Sequence, residues 1–260
     1  MKSYLNDLDR RKNYIIFAEN AYFEDDLEMA IKFYFRALSF QGTKSENIKV
    51  LYNIAIIYDE MDIPEKALKT YEKITQLDKN EAGAFYGMGT MHERLKDKKT
   101  ALKCYIKATE IDPYYDRAFF YIANIYDEIG DKEKAISYYK KVISLIPDDY
   151  MAYNNLGSIY EEIEEYDKAY RMIKKSISLN PDYYRSLFNM GVIYKRLGKY
   201  QKAIEYYDKA IDKNANYSYS YLNKSAIYIE WKEYEKSIEI LSEGIINNPS
   251  AEYLYYNRAC

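Results

Sequence analysis

Residues 150–183 read YMAYNNLGSIYEEIEEYDKAYRMIKKSISLNPDY. Tyr153, Leu156, Ile159, Tyr160 and Ile163 recur at helical spacing, which predicts a first helix over 150–163 with one apolar face. Ala169, Ile173, Ser176 and Ile177 predict a second helix over 167–179 that faces back on the first. The polar stretch Glu164–Asp167 makes the turn between them. Pro181 stops the second helix, because proline lacks an N–H and disfavours helix in the residue before it. The unit is a helix hairpin, too small to bury its own apolar face and in need of neighbours.

Those neighbours are written along the chain with a period of 34. Pro113, Pro147 and Pro181 are 34 apart, and Pro249 lies 68 further on; Pro64 alone falls outside this series. Ala67, Ala101, Ala135, Ala169 and Ala203 repeat at the same interval, Ser237 continues them, and Ala30 precedes them by 37. A third series is Tyr58, His92, Tyr126, Tyr160, Tyr194 and Tyr228, and a fourth is Ala55, Gly89, Ala123, Gly157, Gly191 and Ser225. Small residues let two helix backbones approach, and the large residues beside them fill the gap. Gly130 and Gly198 occupy the turn, where the residue after a helix often needs positive φ.

The frame this sets is an N-terminal extension at 1–10 and repeats at 11–47, 48–81, 82–115, 116–149, 150–183, 184–217 and 218–251, with 252–260 starting an eighth. The first repeat is degenerate, with Ala21 in the tyrosine place and a long linker SFQGTKSEN. The ending at Cys260 leaves half a hairpin, from which we expect a piece of a longer protein. In 150–183 the signature residues are Leu156, Gly157, Tyr160, Ala169, Ile173 and Pro181; in 184–217 they are Met190, Gly191, Tyr194, Ala203 and Tyr207, with Ala215 in the proline place. This pattern resembles the tetratricopeptide repeat (TPR) over residues 11–260. The resemblance implies an all-α fold, a right-handed α-solenoid superhelix of stacked helix-turn-helix hairpins.

Composition narrows the function. Charged residues at 30% and hydrophobic residues at 48% are ordinary for a folded protein, and nine glycines and five prolines argue against disorder. A net charge of -3 lacks the basic excess of a nucleic-acid binder, so no nucleic-acid partner is expected. No apolar run reaches the length of a membrane span, and the N-terminus has no apolar core of signal-peptide length, so no membrane partner and a cytoplasmic location are expected. The 34 tyrosines make tyrosine the default aromatic residue of the chain.

No catalytic constellation is found, so these residues are not expected to be an enzyme. The single histidine, His92, sits in the tyrosine series as a packing side chain, without the partners a general base needs. His92 and Cys104 alone cannot hold a metal, and Cys104 and Cys260 share no redox spacing; both thiols are read as incidental. GMGT at 87–90 lies inside a helix and lacks the Lys-Ser/Thr of a phosphate loop. No cofactor and no metal are expected.

In TPR proteins the first helices line a concave groove. The sixth residues of the repeats are Ile16, Asn53, Gly87, Tyr121, Asn155, Asn189, Asn223 and Asn257, the last four an unbroken asparagine row. A side-chain amide donates and accepts, so Asn53, Asn155, Asn189, Asn223 and Asn257 can pair with the backbone of an extended peptide, each bond adding about 0.5–1.5 kcal/mol net. The row resembles the asparagine ladder in the TPR superhelix of O-GlcNAc transferases. The fifth residues Tyr52, Tyr86, Phe120, Phe188 and Tyr256 are candidate aromatic contacts. Asp59, Glu60, Glu93, Asp127, Glu128, Glu161 and Glu162 predict a groove acidic over repeats two to five, and Arg185, Lys195 and Arg196 one that is basic at repeat six. A ligand with a basic stretch and an acidic group or terminus would match. The carboxylate clamp of co-chaperone TPR domains is not expected: Asn124, Asn155 and Arg185 fit it, but Phe120 and Asn189 stand where two basic groups are needed.

The resemblance implies a protein-interaction scaffold that binds an extended peptide or partner segment. Two alternatives stay open at this point. One is the TPR arm of a larger enzyme, such as an O-GlcNAc-transferase-like glycosyltransferase, with its catalytic part beyond residue 260. The other is an architectural solenoid that associates end to end through its unfinished last repeat.

Overall fold

The structure, a computed structural model, describes residues 2–259, with side chains from residue 7 onward. Cys260 lies outside the described residues. Fifteen α-helices and no strand occur among them. The helices are α1 (Lys2–Phe23), α2 (Leu27–Leu38), α3 (Lys44–Glu60), α4 (Pro64–Leu77), α5 (Ala82–Arg94), α6 (Lys98–Ile111), α7 (Asp116–Glu128) and α8 (Lys132–Leu145). They continue with α9 (Tyr150–Glu162), α10 (Tyr166–Leu179), α11 (Tyr184–Arg196), α12 (Tyr200–Lys213), α13 (Ser218–Glu230), α14 (Tyr234–Asn247) and α15 (Glu252–Ala259). The architecture is an all-α solenoid of helix hairpins, in which odd-numbered helices are the first of each pair. Two compact units divide the chain, Met1–Ile125 and Tyr126–Cys260.

The small-residue series explains the packing inside each hairpin. Ala30, Ala67 and Ala101 in the first unit, and Ala135, Ala169 and Ala203 in the second, expose no surface. A Cβ added at Gly157 would lie 2.6 Å from Ile173 Cδ1, and one at Gly191 2.6 Å from Tyr207 Cε1. First and second helices therefore touch where the sequence places its smallest residues. Around those contacts Tyr34, Val50, Ile54 and Ile57 close a core in the first unit, and Ala203, Ile204, Tyr207, Tyr221 and Ile227 close one in the second. Each fully buried branched side chain contributes about 1.5–3 kcal/mol.

The tyrosine series carries a second regularity. Lys66, Lys134, Lys168, Lys202 and Lys236 place their ammonium groups 4.9–5.6 Å from the rings of Tyr58, Tyr126, Tyr160, Tyr194 and Tyr228. Each such pair ties the start of a second helix to the end of the first, at about 0.5–1 kcal/mol where exposed. In the third repeat both partners differ: His92 stands for the tyrosine and Thr100 for the lysine. His92 is half-buried, its Nδ1 3.8 Å from Asp97 Oδ2. Cys104 is buried, and burial, helped by Asp97, pushes its thiol up to about 11, which keeps it protonated and inert.

The turns within hairpins are all built alike. Asp25, Asp62, Lys96, Gly130, Glu164, Gly198 and Lys232 each adopt φ between 59° and 84°. The following amide closes the helix end; Glu165 N donates to Tyr160 O at 2.8 Å and Glu233 N to Tyr228 O at 2.8 Å. Glycine stands at only two of the seven turns, so left-handed geometry here is imposed by the hairpin, at about 1–2 kcal/mol for each side chain that carries a Cβ. Pro64, outside the proline series, is the first residue of α4, where its missing N–H costs nothing.

The first repeat departs from its expected outline. Residues 2–10, expected as an extension, are the opening turns of the 22-residue helix α1. The expected linker is shorter than read, because residues 44–47 belong to α3. Thr43 starts that helix with a capping box: its Oγ1 accepts from Glu46 N at 3.2 Å, and Thr43 N donates to Glu46 Oε2 at 2.8 Å. The three extra residues wrap a buried arginine. Arg11, 2% exposed, donates to Ala37 O (3.2 Å), Phe40 O (3.1 Å) and Asn47 Oδ1 (2.8 Å). Its positive charge thereby sits at the C-terminus of α2, the negative end of that helix dipole.

Candidate functional site

The sixth position of each repeat faces the aromatic or aliphatic residue four beyond the buried alanine of the repeat before. What stands at the two places decides the local chemistry. Asn53 Nδ2 donates to Tyr34 Oη at 3.0 Å, and Asn155 Nδ2 donates to Tyr139 Oη at 3.1 Å. Ile173 has no oxygen to offer Asn189, and Asn189 Nδ2 turns to Asn154 Oδ1 at 3.0 Å. Asn223 and Asn257 donate back to their own helices, to Tyr219 O (3.0 Å) and Tyr253 O (2.7 Å). Tyr207 Oη is consequently buried with no hydrogen-bond partner, as is Ser220 Oγ. The five asparagines are all partly exposed, but they are not five copies of one environment.

Asn154 is the hub of this region and was not among the expected site residues. It is 4% exposed, donates to Asn155 Oδ1 (3.1 Å), and accepts from Ser186 Oγ (3.0 Å) and Asn189 Nδ2 (3.0 Å). Ser186 Oγ lies 2.6 Å from Ser176 Oγ, which itself donates to Tyr150 O at 2.6 Å. The network links α9, α10 and α11 through polar groups alone. Its signal in the sequence was an asparagine at a fifth position where the other repeats carry an aromatic or, at Ile15 and Leu222, an aliphatic residue.

The first unit holds a cavity instead. Gly87 takes the sixth position on α5, and the ring of Tyr71 occupies the space the asparagine side chain fills elsewhere: a Cβ at Gly87 would lie 2.5 Å from Tyr71 Cζ. One turn earlier, a Cβ at Gly83 would lie 2.8 Å from Tyr52 Oη. These two glycines open a cavity of about 720 Å3 whose walls include Tyr52, Tyr71, Tyr86, Tyr115 and Tyr121. Tyr86 packs its ring 5.3 Å from Tyr115 and 5.8 Å from Tyr121, and Tyr121 stacks on Tyr105 at 5.3 Å. Tyr52 Oη donates to Glu81 Oε2 at 3.2 Å, and Tyr105 Oη donates to Glu93. Burial pushes the phenols of Tyr52, Tyr71, Tyr86 and Tyr115 up, with Glu81 adding at Tyr52 and Tyr121 at Tyr86. They are neutral hydroxyls at physiological pH. Glycines 83 and 87 were the available signal, since two glycines one turn apart weaken a helix by about 1 kcal/mol each relative to alanine.

The remaining aromatic candidates differ in exposure. Phe120 is half-buried against Tyr121 at 6.2 Å, and Phe188 packs 5.7 Å from Tyr207 and 5.2 Å from Tyr217. Tyr256 is largely exposed. Ile16, at the sixth position of the first repeat, is half-exposed.

The residues expected to form an acidic and a basic stretch are in part paired with bases and acids of neighbouring helices. Arg94 binds the carboxylates of Asp59 and Asp62, and its Nη1 also donates to Asp59 O at 3.0 Å. Lys132 bridges Asp127 (2.7 Å) and Glu162 (2.5 Å), and Arg196 holds Glu161 at 2.7 Å. Glu60 accepts from Tyr22 Oη at 2.8 Å. Arg185 donates to Tyr184 Oη at 3.2 Å with its guanidinium 5.7 Å above that ring. Glu128 is exposed and Lys195 half-buried. Bases one repeat away, or in the next turn, pair with Asp59, Asp127, Glu161 and Glu162 among these carboxylates. Such partly exposed pairs contribute at most about 1 kcal/mol each. Among the described residues no helix is long and apolar enough to cross a membrane.

Comparison with known proteins follows the same architecture. Tetratricopeptide-repeat family models match residues 48–81, 82–115, 116–149, 150–183, 184–217 and 218–249. No curated protein matches the sequence. Among solved structures, a tetratricopeptide repeat protein from Parabacteroides merdae superposes with a TM-score of 0.73 at 15% identity, over 96% of this chain and 98% of that one. The pilF protein of Pseudomonas aeruginosa gives 0.70 at 17% identity, over 83% and 98%. YrrB, described as a TPR protein with an unusual peptide-binding site, gives 0.58 at 22% identity, over 69% and 96%. At these identities the structures speak for the fold alone. The family models span most of the chain, so it belongs to the tetratricopeptide-repeat family, whose repeats indicate a protein–protein interaction scaffold.

Proposed function

We propose that this scaffold binds an extended peptide or partner segment along the face formed by its first helices. The observation that carries the reading is the tyrosine-walled cavity of about 720 Å3 in the first unit, opened by two helix-weakening glycines. Concave, aromatic-lined surfaces concentrate binding energy, because a buried ring contributes large area at little entropic cost. Partly exposed amides at Asn155, Asn189 and Asn223 support a backbone-reading role in the second unit. Internal hydrogen bonds fix the orientation of each amide, and Asn189 and Asn223 engage one N–H in this way. YrrB, a protein similar in fold, is described as having an unusual peptide-binding site, which supports peptide recognition by this architecture. No reacting group is needed for this function, and the chain works by recognition.

The test is peptide display on the full chain, repeated with an Asn155/Asn189/Asn223→Ala variant. Peptides selected on the wild type should bind the variant at least about tenfold more weakly, as expected for two or three lost hydrogen bonds of about 0.5–1.5 kcal/mol. Selected peptides that bind both proteins equally would remove the asparagines from the reading.

A further inference from the structure

The cavity of the first unit has a chemistry more specific than peptide binding in general. We propose that it takes a cationic side chain of the partner segment, arginine in the first place. The proposal rests on reading this face as a peptide-binding surface, and it names what one pocket of that surface selects.

Three observations point the same way. The walls are phenol rings, whose faces carry the negative end of the ring quadrupole and attract a cation within about 6 Å of the centroid. The lining also contains the carboxylates of Asp59 and Glu93 against one guanidinium, that of Arg94. And Arg94 shows what the rim accommodates: its guanidinium already sits between Asp59 and Asp62 while a backbone carbonyl takes a further N–H. An acidic side chain would meet a lining with two carboxylates against one guanidinium, a net negative charge. An aliphatic one would cover phenol oxygens without bonding them. A guanidinium offers a flat face to the rings and five N–H groups to the phenol and carboxylate oxygens, which an ammonium cannot match in shape. Because the phenols are held neutral by burial, their oxygens remain acceptors without adding charge to the pocket.

The fourth observation is comparative. At Asn53 and Asn155 the sixth-position amide bonds the tyrosine behind it, Tyr34 and Tyr139. Only glycine at residue 87 lets the Tyr71 ring lie against α5 and leaves the room beyond it open. The substitution Gly87→Asn puts an amide into the lining of the cavity and pushes the Tyr71 ring from its place.

The experiment titrates the full chain with acetylated, amidated Gly-Gly-Arg-Gly-Gly by ligand-observed NMR at low salt. The comparison peptides carry citrulline, lysine or norleucine in the central place. Citrulline keeps the shape of arginine and removes its charge. Arginine should bind about tenfold tighter than citrulline, with lysine between them. Gly87→Asn should erase that preference, and Glu93→Gln, which keeps the bond from Tyr105, should reduce it severalfold. If urea unfolding shows Gly87→Asn to be poorly folded, Tyr121→Leu gives the same reading. Equal binding of arginine and citrulline, binding of neither, or a preference unchanged in these variants overturns the proposal. If displayed peptides still depend on the asparagines while arginine and citrulline bind alike, the cavity proposal alone falls. If the arginine preference disappears in Gly87→Asn while displayed peptides ignore the asparagine variant, the cavity stands and the asparagines leave the extended-peptide reading.

Discussion

The two units use one hairpin design and put different chemistry on it. In the first, after Ile16 and Asn53, the sixth positions turn to glycine and tyrosine at 87 and 121, and phenol rings crowd round a cavity. In the second they hold asparagines, and the space is filled by an amide and hydroxyl network centred on Asn154. The buried alanines and the left-handed turn residues are alike in both. What a repeat binds can thus change at one or two places per hairpin without disturbing the packing that makes it a repeat. The difference teaches where to look for function in such a chain: at the places where the period holds and the residue type does not.

Alkali should break both units, and it is the largest effect we expect. Burial raises Tyr52, Tyr86, Tyr105 and Tyr115 in the first unit, where Tyr105 also donates to Glu93. In the second it raises Tyr139 and Tyr207, and pushes Tyr217 and Tyr221 up to about 12. The unfolded chain releases these protons near the ordinary value of 10 and the folded chain only later. Stability contributed this way is fully present below pH 10 and is lost as pH rises from 10 through 12 and beyond. Urea midpoints should be flat from pH 7 to pH 9 and fall steeply above 10, with phenolate absorbance rising together with the loss of helical circular dichroism. Phenolate absorbance that is complete while the helix signal is intact would mean the rings are more exposed than described.

Asn154→Leu should break the second unit alone. The variant leaves Ser186 and Asn189 without their acceptor in a buried site, and should cost about 2–3 kcal/mol in chemical unfolding. Hydrogen exchange should quicken in α9 to α11 and stay unchanged in α3 to α5. A loss spread evenly over both units would deny the network its local role.

Much of the fold was legible because packing is periodic. Ala67 through Ala203 announced the hairpin crossings, and Pro113, Pro147 and Pro181 lie just beyond α6, α8 and α10. The left-handed turns were legible only at Gly130 and Gly198. At Asp62, Lys96, Glu164 and Lys232 the hairpin forces the same φ on residues that do not advertise it. The capping box at Thr43 was present in the letters, but it sat inside what read as a linker. For the site, the sixth positions were readable and their partners were not. Asn53 and Asn155 find a tyrosine 19 and 16 residues back, on another helix, and Asn189 finds an asparagine 35 back. Charge pairing was hidden in the same way: Asp59 with Arg94, and Glu161 with Arg196, meet across 35 residues, which a count along one helix does not see.

The finest test compares two tyrosines at the same place, two repeats apart in the second unit. Tyr139 and Tyr207 are both fully buried. Tyr139 Oη accepts from Asn155 at 3.1 Å, whereas Tyr207 Oη has no partner because Asn223 donates to Tyr219 O instead. Tyr139→Phe should therefore destabilise by about 1 kcal/mol, the net worth of one hydrogen bond. Tyr207→Phe removes a buried hydroxyl that bonds nothing, and should be neutral or stabilising by up to about 1 kcal/mol. Two matched urea curves decide it. Opposite signs would show that the asparagine's choice of acceptor is set locally. Equal losses would mean that Asn223 bonds Tyr207 for much of the time, and that the asparagine row is more uniform than the contacts describe.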